Sequence, residues 1–463
     1  MAQSSCNRRT FLSTGIAVSG TTAMTAASYG RVIGANDRVN VGFIGYGLIG
    51  KRHVIDVKEQ PDTQIVGIAE AHRGRRDEAI AFVGGGATGY DDFRKLLDRR
   101  DVDAVVVSTP DHWHALQTML ACAAGKDVYV EKPVTLFPRE GRWMLAVARR
   151  FKRVVQAGTQ QRSGEHYQRA RKLIQDGYIG KVVSVRMHAA RNILPGYGSP
   201  PDVAAPPELD YDMWLGPAPR RRYNPNRAIY HFRWFWDYSG GQMTNLGQHS
   251  MDIVDWILGV DSCRTVFSTG GRFHLSDNGE TPDVQDALFV CDGWTATWSH
   301  RECSGGEEPR YSLTFYGTKG SLGISRSGFT VTADEDVLPA NTVPQFTGAH
   351  PIGGPKRVPK LPRATYRTKP INDRTGNSRQ QFKDHMRNFL DCIKTREQPT
   401  SNLESGTRVA TVCHLANISL RLGHQLRWDP MREEFIGDED ASEWLVRPYR
   451  APWDRELKAL NVG

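Results

Sequence analysis

The chain has 463 residues, enough for two domains with a large buried core, and its 39% hydrophobic and 24% charged content excludes a disordered or fibrous protein. The net charge is +9, yet the arginines are scattered, no nucleic-acid motif accompanies them and no apolar run can span a membrane, so the basicity reads as a solvated surface, helped by acidic substrates or an anionic envelope. Seven cysteines, an odd number without CxxC or zinc spacing, argue against a full disulfide framework and read mainly as small buried hydrophobes.

Residues 1–30 look like a twin-arginine export signal. Asn7-Arg8-Arg9-Thr10-Phe11-Leu12-Ser13 precedes a mildly apolar stretch from Thr14 to Tyr29, with small residues for cleavage near Ala26, Ala27 and Ser28. The expected location is therefore periplasmic, or otherwise exported.

The nucleotide half is expected over residues 36–158. Arg38 to Ile44 reads as a buried strand, Gly45-Tyr46-Gly47-Leu48-Ile49-Gly50 as a tight turn, and Leu48 to Val57 as the start of a helix. Such a turn places a pyrophosphate on free N–H groups at the helix N-terminus. A second strand, Ile65 to Ala69, ends at Glu70, about 20 residues past the turn, where this arrangement puts an acid for a ribose hydroxyl. A carboxylate there repels a 2′-phosphate, which favours NAD over NADP, although His72, Arg73, Arg75 and Arg76 follow closely. Strands at 103–108, 127–130 and 153–157 alternate with helices at 115–124 and 139–150, the pattern of a doubly wound parallel α/β sheet. Glu131-Lys132-Pro133 closes one of these strands and puts a lysine at the carboxyl edge, where a nicotinamide ring would lie.

From 159 to 463 the pattern changes to that of an α+β domain on an open mixed or antiparallel sheet. A helix at 165–175 and a strand at 182–188 precede an irregular, Pro-, Tyr- and Arg-rich stretch from 189 to 233. Trp234-Phe235-Trp236-Asp237-Tyr238 and Gly240-Gly241 introduce a helix at 242–258, on which Asn245 and His249, four apart, share a face. Strands are expected at 265–271, 286–291, 295–301 and 310–325, the last with a Gly317-Thr318-Lys319-Gly320 hairpin turn. A Pro/Gly-rich segment at 334–375 reads as a lid, an oligomer arm or disorder. Helices at 378–395 and 404–422 follow, and a terminal Tyr449-Arg450-Ala451-Pro452-Trp453 too aromatic to hang free.

Four segments carry a family resemblance: the glycine turn, Ser108-Thr109-Pro110-Asp111-His112-Trp113-His114, Glu131-Lys132-Pro133, and Gly240 to His249. Together they resemble the glucose–fructose oxidoreductase / inositol dehydrogenase (Gfo/Idh/MocA) family, in a secreted branch. The resemblance implies a Rossmann domain holding nicotinamide, a sugar or polyol over the second sheet, and face-to-face packing into a homodimer or homotetramer. It implies that Lys132 hydrogen-bonds the reacting oxygen, that His249 relays the hydroxyl proton, and that Ser108, Thr109, Pro110, His114 and Glu131 line the cofactor with the glycine turn and Glu70. The family often has an aspartate where Asn245 stands; a carboxamide can orient the imidazole but supplies no charge, so His249 should have an ordinary or low pKa and Lys132 should carry more of the proton traffic. The His112-x-His114 pair suggests a metal, but the resemblance implies instead that Thr109-Pro110-Asp111-x-x-His114 lines the nicotinamide side of the cofactor. Arg162, Tyr167, Trp234, Trp236 and Tyr238 are the candidate sugar wall.

The expected function is NAD(P)-dependent hydride transfer between nicotinamide and a sugar, polyol or glycoside hydroxyl, with a tightly held cofactor because soluble NAD is scarce outside the cytoplasm. One alternative is a cofactor-recycling enzyme that cleaves glycosides by transient oxidation followed by elimination or hydrolysis. Another is a non-catalytic sugar or nucleotide sensor, against which Lys132 and His249 argue.

Overall fold

The computed structural model describes residues 38–306, 310–334, 349–350, 354–355 and 368–462. The twin-arginine leader, Cys6 and most of the 334–375 segment lie outside the described residues.

The first sheet has six parallel strands: β1 (Val39–Ile44), β2 (Thr63–Ala69), β3 (Thr88–Tyr90), β4 (Ala104–Val107), β5 (Asp127–Val130) and β6 (Val155–Ala157). Their order is β3-β2-β1-β4-β5-β6. The apolar runs of β1, β4 and β5 are continuous rather than alternating because helices cover both faces, and β4 and β5 are buried throughout. Strand β3 is not placed by the sequence because it is three residues long, mostly exposed, and carries no apolar run. The order reverses between β1 and β4, and a cleft opens there at the carboxyl ends of the strands.

The second sheet is mixed. Strand β7 (Val182–Asn192) pairs parallel with β10 (Trp294–Arg301); antiparallel pairings run from β10 through β9 (Val284–Cys291) to β8 (Cys263–Gly271), and on β7's other side through Tyr311–Gly317 to Gly320–Ser325 and Gly328–Ala333. Inward residues of these strands form the largest core, including Phe289, Trp298 and Phe315, against the helices Glu165–Gln175, Gln248–Leu258 and Leu403–Leu422. On the outward face Phe267, Leu288, Val290 and Tyr316 are exposed.

The nucleotide half is completed from the far end of the chain. Met386, Phe389 and Leu390 of the helix Ser378–Thr395 join the core of Val41, Ile68 and Tyr129. Arg387 and Lys394 of that helix grip Asp62 at 2.7 and 2.6 Å. Burial alone would raise the Asp62 pKa, but these hydrogen bonds outweigh it and hold the carboxyl at about 2. Trp453 is buried against Phe93 and Trp113, and the Tyr449 hydroxyl donates to Glu140 at 2.7 Å. The aromatic terminus is thus a wedge against the first domain.

Cys263 and Cys291 form a disulfide, a pairing that the sequence reading did not anticipate. They are 28 residues apart and become neighbours only because β8 and β9 set them opposite each other. Cys122, Cys392 and Cys413 are buried free thiols, as small hydrophobes should be.

Candidate active site

The glycine turn is shaped by main-chain contacts. Gly45 has φ +94°, a conformation that penalises side chains, and a Cβ there would lie 2.9 Å from the Ser108 carbonyl. A Cβ on Gly50 would come 2.5 Å from the Gly45 carbonyl. A Cβ on Gly47, by contrast, would meet nothing within 4 Å, so this is where the turn opens onto the cleft. Gly47 also caps the helix Leu48–Lys58 without a side-chain hydrogen bond, which leaves the helix N–H groups for an anion. These features fit a dinucleotide pyrophosphate.

Glu70 lines the same cleft, its oxygens accepting from the N–H groups of Tyr46 at 2.7 Å and His72 at 2.9 Å. The carboxylate is thereby aimed while keeping lone pairs for ribose hydroxyls. Of the basic residues behind it, His72 caps the helix Arg73–Val83 through its ring nitrogen and Arg76 donates to the Glu70 carbonyl. Arg75 remains on the cleft wall.

The Ser108–His114 segment divides its labour. Thr109 and Pro110 line the cleft; Ser108 lines it too, but its hydroxyl donates to the Gly45 carbonyl at 2.9 Å, clamping the turn. His114 does not line the cleft. Its ring nitrogens face the carbonyls of Pro133 (2.6 Å) and Thr109 (2.8 Å), so it fastens the Glu131-Lys132-Pro133 turn to the Thr109 turn. His112 is buried against the Trp214 carbonyl, and burial pushes its pKa down to about 3. No metal-holding group of His, Cys, Asp or Glu occurs among the described residues.

Lys132 reaches across to the second domain, where its ammonium donates to both the side-chain oxygen (2.8 Å) and the main-chain carbonyl (3.1 Å) of Asn245. Asn245 sits in a five-residue π-helical stretch, Met243–Gly247, inserted ahead of the helix Gln248–Leu258. Such insertions recur at functional sites because the widened turn re-aims groups that an α-helix would stack. Gly247 lets this stretch close on Trp298; a Cβ would lie 3.3 Å from the indole. The Asn245 amide nitrogen donates to Gln242 (3.1 Å), whose own amide donates to the buried Glu302 (2.7 Å). The Asn245 carboxamide thus serves Lys132 and Gln242, not the imidazole of His249, and its expected role in orienting that ring is corrected.

Burial pushes the Lys132 ammonium down to about 8; Glu131 and Asp111 oppose the fall, and Arg233 and Arg326 add to it. Glu131 stays ionised despite its burial because His53 hydrogen-bonds it at 2.7 Å, and its other oxygen accepts from the Lys132 N–H at 3.1 Å. His249 is 3% exposed. Burial, then the cations of Lys132 and Arg326, hold its pKa well below the ordinary imidazole value, and its Nδ1 is buried without a partner. The imidazole is therefore neutral at physiological pH.

None of the five residues expected to form the sugar wall lines the cleft. Arg162 is in a buried ion cluster with Asp252 (2.7 Å) and Asp255 (3.2 Å). Tyr167 and Tyr238 are core residues, 2% and 0% exposed. The Trp234 indole donates to Glu302 at 2.7 Å, and Trp236 stacks beneath Arg421. The cleft is walled by Trp113, Trp214, Ile229, Tyr230, Phe232 and Arg233 together with the glycine turn, and Lys132, Asn245 and His249 lie outside this lining as well. Trp113 lies in the Ser108–His114 motif, but the others had no sequence signal beyond lying in a segment too irregular to assign; Phe232 and Arg233 reach the cleft from the turn His231–Trp234.

Three comparisons agree with this geometry. Residues 39–159 match the family model described as "Oxidoreductase family, NAD-binding Rossmann fold". Residues 164–268 and 368–455 match "Oxidoreductase family, C-terminal alpha/beta domain", and 218–323 match the GFO/IDH/MocA C-terminal domain. An inositol 2-dehydrogenase of Klebsiella pneumoniae is 32% identical over 183 residues, 38% of this chain and 54% of that protein. One of Rhizobium meliloti is 27% identical over 289 residues, 61% and 74% of the two chains. The chain thus spans about half the length of the first of these relatives. Among solved structures, levoglucosan dehydrogenase with NADH superposes with a TM-score of 0.63 at 18% identity, covering 84% of this chain and 99% of that one. A myo-inositol 2-dehydrogenase of Lactobacillus plantarum gives 0.59 at 17%, covering 84% and 99%. At such identities the likeness establishes the fold.

Proposed function

The chain belongs to the Gfo/Idh/MocA oxidoreductase family and carries its NAD-binding Rossmann domain, and from that premise we propose that it is an NAD-dependent dehydrogenase of a sugar or polyol, with Lys132 as the group that moves the proton. The observation that carries the proposal is the Lys132 ammonium at the carboxyl edge of the first sheet, held on Asn245 of the second domain with its pKa at about 8. Related proteins named inositol 2-dehydrogenase and levoglucosan dehydrogenase support the substrate class.

The dinucleotide, when bound, supplies the two-electron acceptor. The chain's residues do the rest. The bare N-terminus of the helix Leu48–Lys58 and Glu70 would hold its phosphate and ribose. The Lys132 amine, free of its proton in a useful fraction near pH 8, accepts the proton of the reacting hydroxyl. The resulting ammonium is received by the Asn245 oxygens. His249, uncharged, offers a hydrogen bond to the substrate rather than a second charge.

The recycling glycosidase remains a second reading for one reason. A lysine with a depressed pKa is also the base needed to remove a C–H proton beside a carbonyl, the step that starts elimination. Export through a twin-arginine signal stays part of the proposal, supported by residues 7–13 and by the Cys263–Cys291 disulfide, which suits an oxidising compartment. So does a homo-oligomer, supported by the exposed Phe267, Leu288, Val290 and Tyr316 on the outward sheet face.

The test is to denature extensively dialysed protein, identify any released nucleotide, and mix undenatured protein with sugars and polyols while following reduced nicotinamide by absorbance. Released NAD and its reduction by a sugar are expected. Release of an aglycone without net reduction would favour the recycling reading. A protein that binds no NAD and oxidises no sugar would end the proposal.

A further inference from the structure

The catalytic end of the cleft is unusually rich in uncompensated positive charge. Arg233 lines the cleft beside Thr109 and Pro110. Its guanidinium lies over Phe232 at 4.6 Å and Tyr230 at 5.4 Å, and one Nη donates to the Tyr230 carbonyl at 3.0 Å. Arg326 approaches from the second domain, in the turn between the strands Gly320–Ser325 and Gly328–Ala333. It lies over Tyr311 at 5.6 Å. Gln161 links it to the site: with its amide oriented to satisfy both neighbours, its oxygen accepts from Arg326 Nε at 3.3 Å and its nitrogen donates to the His249 carbonyl at 3.2 Å.

Neither guanidinium pairs with a carboxylate among the described residues, whereas Arg162, Arg191, Arg272, Arg379, Arg387 and Arg408 all do. Both arginines are close enough to depress the Lys132 ammonium. No carboxylate is ion-paired with either guanidinium among the described residues, although Glu131 and Asp111 favour the Lys132 ammonium and Arg233 acts on Asp111. Glu131 serves His53, Asp111 accepts from Ser239, and Glu302 is held by Arg191, Trp234 and Gln242. The position that receives Lys132 is the neutral Asn245. Oxidised nicotinamide itself carries a positive charge, so its arrival would add to the charge of Arg233 and Arg326 rather than pair it. The pyrophosphate cannot relieve them, because its place is the Gly47 turn at the N-terminus of Leu48–Lys58.

We infer that the sugar oxidised here carries a carboxylate, a uronic- or aldonic-acid type of substrate, received by Arg233 on the cleft wall and by Arg326 of the second sheet. The inference rests on the dehydrogenase reading above and narrows its substrate class. Planar guanidinium groups stacked on aromatic rings are pre-organised to bind a carboxylate through paired hydrogen bonds, and a stacked wall suits a sugar ring.

The experiment uses the NAD-loaded protein and sugar pairs that differ only at C6: D-glucose with D-glucuronate, D-galactose with D-galacturonate, and methyl β-D-glucoside with its glucuronide. The acid member of at least one pair should have a kcat/KM about tenfold or more above its neutral partner. That preference should shrink as ionic strength rises from roughly 0.02 to 0.5 M, because screening weakens exposed charge pairs. In Arg233→Gln and Arg326→Gln the ratio should fall toward one, with Arg326→Lys restoring part of it. The salt dependence is read on the unaltered protein, so it tests the inference even where a variant fails to fold. Neutral sugars oxidised as well as or better than their acids overturn the inference and leave the dehydrogenase reading standing. A salt-independent ratio also overturns it. If no sugar of either kind reduces bound NAD, the dehydrogenase reading falls and the inference with it.

Discussion

The two ends of the cleft are built on opposite electrostatic plans. At the adenosine end the chain supplies backbone N–H groups and Glu70, aimed by Tyr46 and His72, while Glu78 and Asp91 nearby are paired with Lys51 and Lys95 and Arg75 shares the wall. At the catalytic end it supplies cations: Lys132, Arg233 and Arg326, faced by the amide of Asn245. The first plan repels an extra phosphate and so selects the dinucleotide. The second depresses a lysine pKa and selects the charge of the substrate. The lesson is that specificity at both ends comes as much from which charges are withheld as from which are present.

The largest way to break the contrast is to remove its central cation. Lys132→Met should lower kcat for sugar oxidation by about a thousandfold or more while circular dichroism stays that of the unaltered protein. A loss below tenfold in steady-state assays would mean the proton travels elsewhere. At the other end, Glu70→Ala should weaken NAD by roughly tenfold and narrow the discrimination against NADP. Titration of both dinucleotides by fluorescence measures this; an unchanged NAD/NADP ratio would remove Glu70 from the selection.

A smaller effect sharpens how the first sheet is braced, at the edge away from the cleft, by the helix Ser378–Thr395. Asp62→Asn frees Arg387 and Lys394 and should cost about 1–2 kcal/mol of stability at pH 7, read from urea midpoints. The Asp62 pKa is depressed in the fold, so its contribution is present above the unfolded carboxyl value and fades as pH falls through about 2. The two proteins should therefore converge in stability in acid, and a gap that persists at pH 2 would assign it to something other than the charge.

How legible this was in the sequence follows the same division. The glycine turn, Glu70 and Lys132 sit where expected because their placement depends on local backbone geometry: a positive φ at Gly45, a strand end, a helix start. The sugar wall did not follow, because Arg162 and Trp234 are the right residue types but tertiary packing consumes their polar atoms on Asp252 and Glu302. Arg233 and Arg326 matter for the reverse reason, since neither forms an ion pair among the described residues, and no local pattern records a missing partner. The Cys263–Cys291 pair likewise depends on strand register rather than spacing. His114 was expected on the cofactor wall and fastens two turns instead, its side chain lying one layer behind the lining residues.

The most direct measurement is the pH dependence of sugar oxidation by the NAD-loaded protein and its Asn245→Asp variant. If Lys132 takes the proton, the rate in the unaltered protein rises with pH and levels off above about 8, where the amine is free. A carboxylate at 245 favours the ammonium, so in Asn245→Asp the same rise should move upward by about one pH unit or more. A rise that stays in place, or a rate that falls as pH climbs through 8, would contradict Lys132 as the proton-moving group.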